Sequence, residues 1–150
     1  MRTNAELVGE FHRAAGMEDP GVPSVPTEAV LELRERLISE ECGEVIEAFA
    51  RLQKRDTGDA ALAHLAHELA DLLYVTYGSL LACGVDPDGV FGELHRANMH
   101  KVSGPRRKDG KQMKPPGFEP ADVQAELSRQ RISRQRVSRR RVSRRRAGGK

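Results

Sequence analysis

Residues 67–78 read HELADLLYVTYG, the middle of a segment from Ala60 to Val85 whose only formally charged side chains are Glu68 and Asp71. A run this apolar, with no proline inside it and Gly84 at its end, is expected to form a helix buried on most sides. Carboxylates in such a helix are costly unless something compensates their charge. The segment carries no Lys or Arg of its own. The compensating charge must come from elsewhere.

The helix sits in a chain of 150 residues, enough for one domain with a real core. Hydrophobic residues make up 38% but aromatics only 4%, and Trp is absent, which favours a helical core of Leu, Val and Ala over a β-sandwich. Three further helical segments are readable. One covers about Asn4 to Ala15, with Leu7, Val8 and Phe11 on one face. A second runs from Glu28 to about Arg55 behind Thr27 as N-cap, and another starts at Asp86-Pro87 and reaches about Lys101. In the apolar helix, Asp59 is the expected cap. No segment alternates as a strand does, and the connections are short, so the fold expected is an all-α antiparallel bundle of four main helices.

The start, MRTNAELVGEF, lacks an apolar core of signal-peptide length, and the longest uncharged run, Leu72 to Val85, is too short to span a bilayer. No membrane contact is therefore expected. Cys42 and Cys83 show no metal-ligand spacing and read as reduced thiols of a cytoplasmic protein.

Net charge is +3, but it averages two different objects. Eleven basic and no acidic residues lie between Ser128 and Lys150, which leaves 14 basic against 22 acidic side chains, or −8, in residues 1–127. RISRQ, RVSRR and RVSRR repeat with period five at 131–135, 136–140 and 141–145. That period gathers no apolar stripe on either a helix or a strand, and the charges repel, so 128–150 is expected to be a disordered Arg-rich tail beside a folded domain 1–127.

On the second helix, Leu33, Leu37, Ile38, Val45, Ala48, Phe49 and Leu52 form a broad apolar stripe that also contains Glu41 and Arg34, with Glu44 at its edge and Glu40 and Glu47 further round. Two neighbouring helices thus each carry acids toward the core: Glu40, Glu41 and Glu44 from one, Glu68 and Asp71 from the other. Spacings of three and four residues place such side chains on one helical face. An all-carboxylate donor set suits Mg²⁺, with Mn²⁺ as the alternative, and not Zn²⁺. Without a metal, the acids would have to pair with Arg34 or Lys101. HELAD begins like the zinc-protease HExxH but has Asp71 where the second His belongs. No His has a Glu three residues before it, which excludes the di-iron bundle pattern. His64 and His67 flank the acids and read as packing or supporting groups, not ligands.

EECGE at 40–44 followed by HELAD at 67–71 resembles the EExxE…ExxD signature of the all-α nucleoside triphosphate pyrophosphohydrolases, the superfamily of MazG-like proteins and phosphoribosyl-ATP pyrophosphohydrolase. ELADLLYV looks like the phosphoribosyl-ATP enzyme's helix, and ANMHKVSGPRRKDGKQMKPPGFEPADV is similar to a MazG-like branch. The resemblance covers roughly residues 5 to 127. It implies Mg²⁺-dependent attack of water on an NTP or dNTP, giving the monophosphate and pyrophosphate, in nucleotide-pool house-cleaning. By motif, Glu41, Glu44, Glu68 and Asp71 would hold metal and Glu40 would orient or deprotonate the water. Asn98 and Lys101 would contact the nucleotide, and Arg107, Lys108, Lys111 and Lys114 lie on a loop that would close over its phosphates. The family also implies a homodimer or homotetramer. The alternatives are the phosphoribosyl-ATP pyrophosphohydrolase of histidine biosynthesis and, from another class, a nucleic-acid-binding protein. In the latter the Arg-rich tail contacts phosphates weakly and without base stacking, since it has no Phe, Tyr or Trp.

Overall fold

A computed structural model describes residues 1–54 and 58–147, with side chains as far as 137. The described residues form five α-helices and no strand: α1 (Asn4–Ala14), α2 (Glu28–Gln53), α3 (Asp59–Ala82), α4 (Pro87–His100) and α5 (Val123–Ala147). A 3₁₀ turn, Lys101–Ser103, extends α4, and one isolated β-bridge joins Arg106 to Gln112. The expected all-helical bundle is what the chain forms. It divides into two compact units, Met1–Pro20 with Ser24–Gly84, and Gly21–Pro23 with Val85–Lys150.

In the first unit α3 packs against both α2 and α1. Helix α1 opens with a capping box that the sequence reading passed over: Glu6 N–H donates to Thr3 Oγ1 (3.3 Å) and Thr3 N–H to Glu6 Oε2 (2.8 Å). Val8 is its buried anchor, whereas Leu7 and Phe11 stay exposed. Thr27 is the N-cap of α2 but its side chain makes no capping bond. The expected end of α2 at Arg55 lies outside the described residues. Gly58, not Asp59, is the N-cap of α3, and Asp59 instead opens its first turn, where an acid suits the helix dipole. The far end of α3 stops as expected, with Gly84 at φ +66°, a conformation that an L side chain resists.

Burial of α3 is narrower than its composition suggests. Leu65, Glu68, Gly78 and Ala82 are buried, while Leu62, Leu69, Leu73 and Tyr74 are exposed. Two neighbouring helices within the unit cover only one side of a helix that is apolar nearly all round. On α2, likewise, Val45 and Ala48 are enclosed but Leu33, Ile46 and Phe49 are not.

In the second unit, Asp86 caps α4 through Asp88 N–H (3.1 Å) and Pro87 occupies the first turn, as the sequence indicates. The expectation of disorder from residue 128 meets a helix instead. Asp122 Oδ1 accepts from Ala125 N–H (2.9 Å), starting α5. Gln130 is buried and locks α5 to the start of α4: its Oε1 accepts from Asp86 N–H (2.8 Å) and its Nε2 donates to Asp86 O (3.2 Å). Arg131 Nε donates to Pro23 O (3.0 Å) and Arg134 Nη1 to Gly21 O (3.2 Å), so residues inside the repeat pack on the 21–23 segment. Arg and Gln are also good helix formers, and periodicity analysis is blind to that propensity. The last expected tail residues, 148–150, lie outside the described ones. Gly89 sits where α4 approaches α5, and a Cβ there would stand 2.9 Å from Gln130 Nε2.

Candidate metal and phosphate site

The first unit brings together three of the expected acids. Glu41, Glu44 and Glu68 each present a carboxylate oxygen, and these oxygens all lie within 4.8 Å of one another. Helical geometry accounts for the grouping. Glu41 and Glu44 are three apart on α2 and therefore neighbours on one face, and the α2–α3 packing delivers Glu68 from the facing helix.

Glu68 is only 6% exposed, and Glu41 Oε2 is buried without a hydrogen-bond partner. A buried carboxylate oxygen left unpaired is expensive, and three acids this close repel. The crowding shows on Glu44, whose carboxyl is held above its ordinary pKa. A hydrogen bond with the Glu68 carboxyl is the main cause, and the negative charges of Glu41 and Glu68, burial and the charge of Asp71 add to it.

No lysine or arginine relieves the cluster among the described residues. Arg34, the obvious candidate from the sequence, donates through Nη2 to His12 Nε2 (3.4 Å) and Met17 Sδ (3.4 Å). Lys101, the other candidate, donates to Asn98 Oδ1 (2.6 Å). Among the described residues, histidines stand beside two of these acids: His64 Nδ1 lies 3.0 Å from Glu68 Oε1, and His67 Nε2 lies 3.1 Å from Asp71 Oδ2. Both pairs have i,i+4 spacing, which was legible in the sequence. The donor chemistry, an orphaned buried oxygen among three carboxylates, fits a hard divalent cation.

Two expected site residues stand outside this trio. Asp71, one turn beyond Glu68, contributes charge to Glu44 while its side chain remains 43% exposed. Glu40 is exposed and lines an open depression with Glu32, Glu35, Arg36 and Ser39. The expected substrate residues all belong to the second unit. Its loop folds as a small hairpin: Met113 N–H donates to Pro105 O (2.9 Å) and Arg107 N–H to Lys111 O (2.8 Å). Arg107 is committed within the loop to Asp109, which lowers the pKa of that acid. Lys108 and Lys111 are exposed. Lys101 and Lys114 both stand over the Phe118 ring, at 5.7 and 5.0 Å from its centroid. Phe118 was overlooked in the sequence, where a single aromatic among Pro and Gly carries no periodic signal.

The family model for phosphoribosyl-ATP pyrophosphohydrolase matches residues 8–98, a span containing all five acids. The chain belongs to this family. Membership places it in the MazG-like all-α NTP pyrophosphohydrolase superfamily, as its acid pattern indicates, and the activity of the family is pyrophosphohydrolysis. No curated protein matches the chain in sequence. No single helix among the described residues is long and apolar enough to cross a membrane.

Proposed function

We propose that this family member is a divalent-metal-dependent nucleoside triphosphate pyrophosphohydrolase that cleaves an NTP or dNTP to the monophosphate and pyrophosphate. The observation that carries the reading is the convergence of carboxylate oxygens of Glu41, Glu44 and Glu68 within 4.8 Å, with Glu41 Oε2 orphaned and no Lys or Arg paired with these acids among the described residues. Glu41, Glu44, Glu68 and Asp71 would hold Mg²⁺, or Mn²⁺ in its place. When bound, the cation would neutralise charge growing on the phosphate oxygens.

The remaining steps fall to side chains. Glu40 is assigned the attacking water, whose proton it accepts as the new P–O bond forms and the bond to the departing pyrophosphate breaks. His64 and His67 orient Glu68 and Asp71. Asn98, Lys101, Arg107, Lys111 and Lys114 are assigned to the nucleotide. Exposed Leu62, Leu69 and Leu73 on α3, with Ile46 and Phe49 on α2, support assembly as a homodimer or homotetramer that would cover them. Free Cys42 and Cys83 are compatible with a cytoplasmic setting.

Phosphoribosyl-ATP is the second substrate to consider, because the matching family model bears its name. One panel separates the two readings. Pyrophosphate release is measured from ribo- and deoxynucleoside triphosphates and from phosphoribosyl-ATP, with Mg²⁺ and with EDTA. Metal-dependent release from an NTP or dNTP supports house-cleaning. Release from phosphoribosyl-ATP alone moves the protein to histidine biosynthesis, and silence on every substrate overturns the enzymatic reading.

A further inference from the structure

The second unit contains an arrangement that the acidic cluster does not explain. Lys101, at the end of α4, and Lys114, in the following loop, bring their ammonium groups to the same aromatic ring, that of Phe118. His100 stacks on that ring, with centroids 5.7 Å apart and planes inclined by 27°. Glu119 N–H donates to His100 Nδ1 (3.3 Å), which ties the stacked imidazole to the loop backbone.

Like charges do not gather without cause, and here the nearby acids are engaged elsewhere. Glu119 pairs with Arg96 (3.7 Å), Glu93 also pairs with Arg96 (2.8 Å), and Asp109 pairs with Arg107. Neither lysine has an acidic partner among the described residues. Among the described residues Lys101 donates to the neutral Asn98 Oδ1. Arginines thus take up the local carboxylates, and the two lysines are left over the π system of one ring. Such a π system attracts cations yet occupies none of their hydrogen-bond donors. Held this way, Lys114 keeps its N–H donors, and Lys101 all but the one given to Asn98, for an anion with several oxygens.

We propose that Phe118, backed by His100, is a positioning residue that gathers Lys101 and Lys114 into a paired-cation seat for a phosphate chain. The inference rests on the pyrophosphohydrolase reading for its substrate, but the seat can be tested without turnover. Its ligand chemistry is an oligophosphate, recognised through charge and N–H donors and not through a base.

The test uses the full chain and inorganic tripolyphosphate as probe. In the wild type, NMR of the Lys101 and Lys114 ε-CH₂ groups reads upfield shifts from the Phe118 ring current. Calorimetry reads tripolyphosphate affinity. Phe118→Leu is expected to abolish the upfield shifts and weaken tripolyphosphate roughly tenfold, while Phe118→Tyr retains both. With whichever nucleotide the protein hydrolyses, Phe118→Leu raises KM and leaves kcat nearly unchanged. Wild-type affinity in Phe118→Leu, or lysine shifts equal to those of free lysine, overturns the seat even if the protein is an active pyrophosphohydrolase. A protein that binds tripolyphosphate through Phe118 but hydrolyses no nucleotide retains the seat and loses the proposed activity.

Discussion

His64 Nδ1 lies 3.0 Å from Glu68 Oε1, one turn earlier on α3, and three residues on the same relationship joins His67 Nε2 to Asp71 Oδ2 at 3.1 Å. Each acid that α3 contributes is thus held by a histidine from its N-terminal side. Outer groups of this kind orient metal-binding carboxylates, and their loss typically weakens metal affinity by about 10- to 100-fold. His64→Ala is expected to lower Mn²⁺ affinity about tenfold, read by isothermal titration, with the helical circular dichroism unchanged. Unaltered affinity would show that packing alone sets the Glu68 rotamer.

Removing charge from the cluster should separate activity from stability. Glu41→Gln deletes a negative charge whose Oε2 has no partner, and so relieves repulsion with Glu44 and Glu68 in the metal-free protein. Its melting temperature in EDTA should equal or exceed that of the wild type, a gain of about 1 kcal/mol or less. Metal-dependent pyrophosphate release should fall at least roughly a hundredfold. Asp71→Asn should lose activity in the same way. A large drop in EDTA stability for Glu41→Gln would mean that the acid supports the fold, and the metal reading would lose its main observation.

Acid sensitivity of the second unit should trace to Glu93. Hydrogen bonds from Arg96, then from the Asp122 backbone N–H, hold its pKa down to about 2, from an ordinary value of 4.5. A folded-state pKa below the unfolded one contributes stability that is fully present above 4.5 and is lost as the pH falls from there toward about 2. Glu93→Gln should therefore unfold earlier than the wild type at neutral pH, and the two curves should converge through that acid window. Parallel curves from neutral pH down to 2 would remove Glu93 from the account.

The arginine repeat should divide at about residue 137. Gln130, Arg131 and Arg134 bond to Asp86, Pro23 and Gly21, so a cut at 128 removes packed side chains. Deleting 138–150 spares these and removes seven of the eleven basic residues of the segment. The shorter cut should leave the melting temperature and pyrophosphate release unchanged while reducing salt-sensitive retention on nucleic acid. Equal retention by the truncated and full chains would show that residues 138–150 are not a phosphate-binding element.

Helix existence, most of the caps and the acid pattern were legible in the amino-acid order, because each depends on residues within a turn or two of one another. Asp86-Pro87 and Gly84 could be read directly, and so could the spacing that puts Glu41 beside Glu44. The family followed from the same local pattern. What needed tertiary structure was everything set by residues far apart in the chain. Only packing revealed that Arg34 turns to His12 and Met17 and not to the acids. Only packing placed two lysines on Phe118 and made the start of the arginine repeat a helix anchored at Gln130. Hydrogen bonds over such separations depend on how helices and loops meet, and no local spacing encodes that.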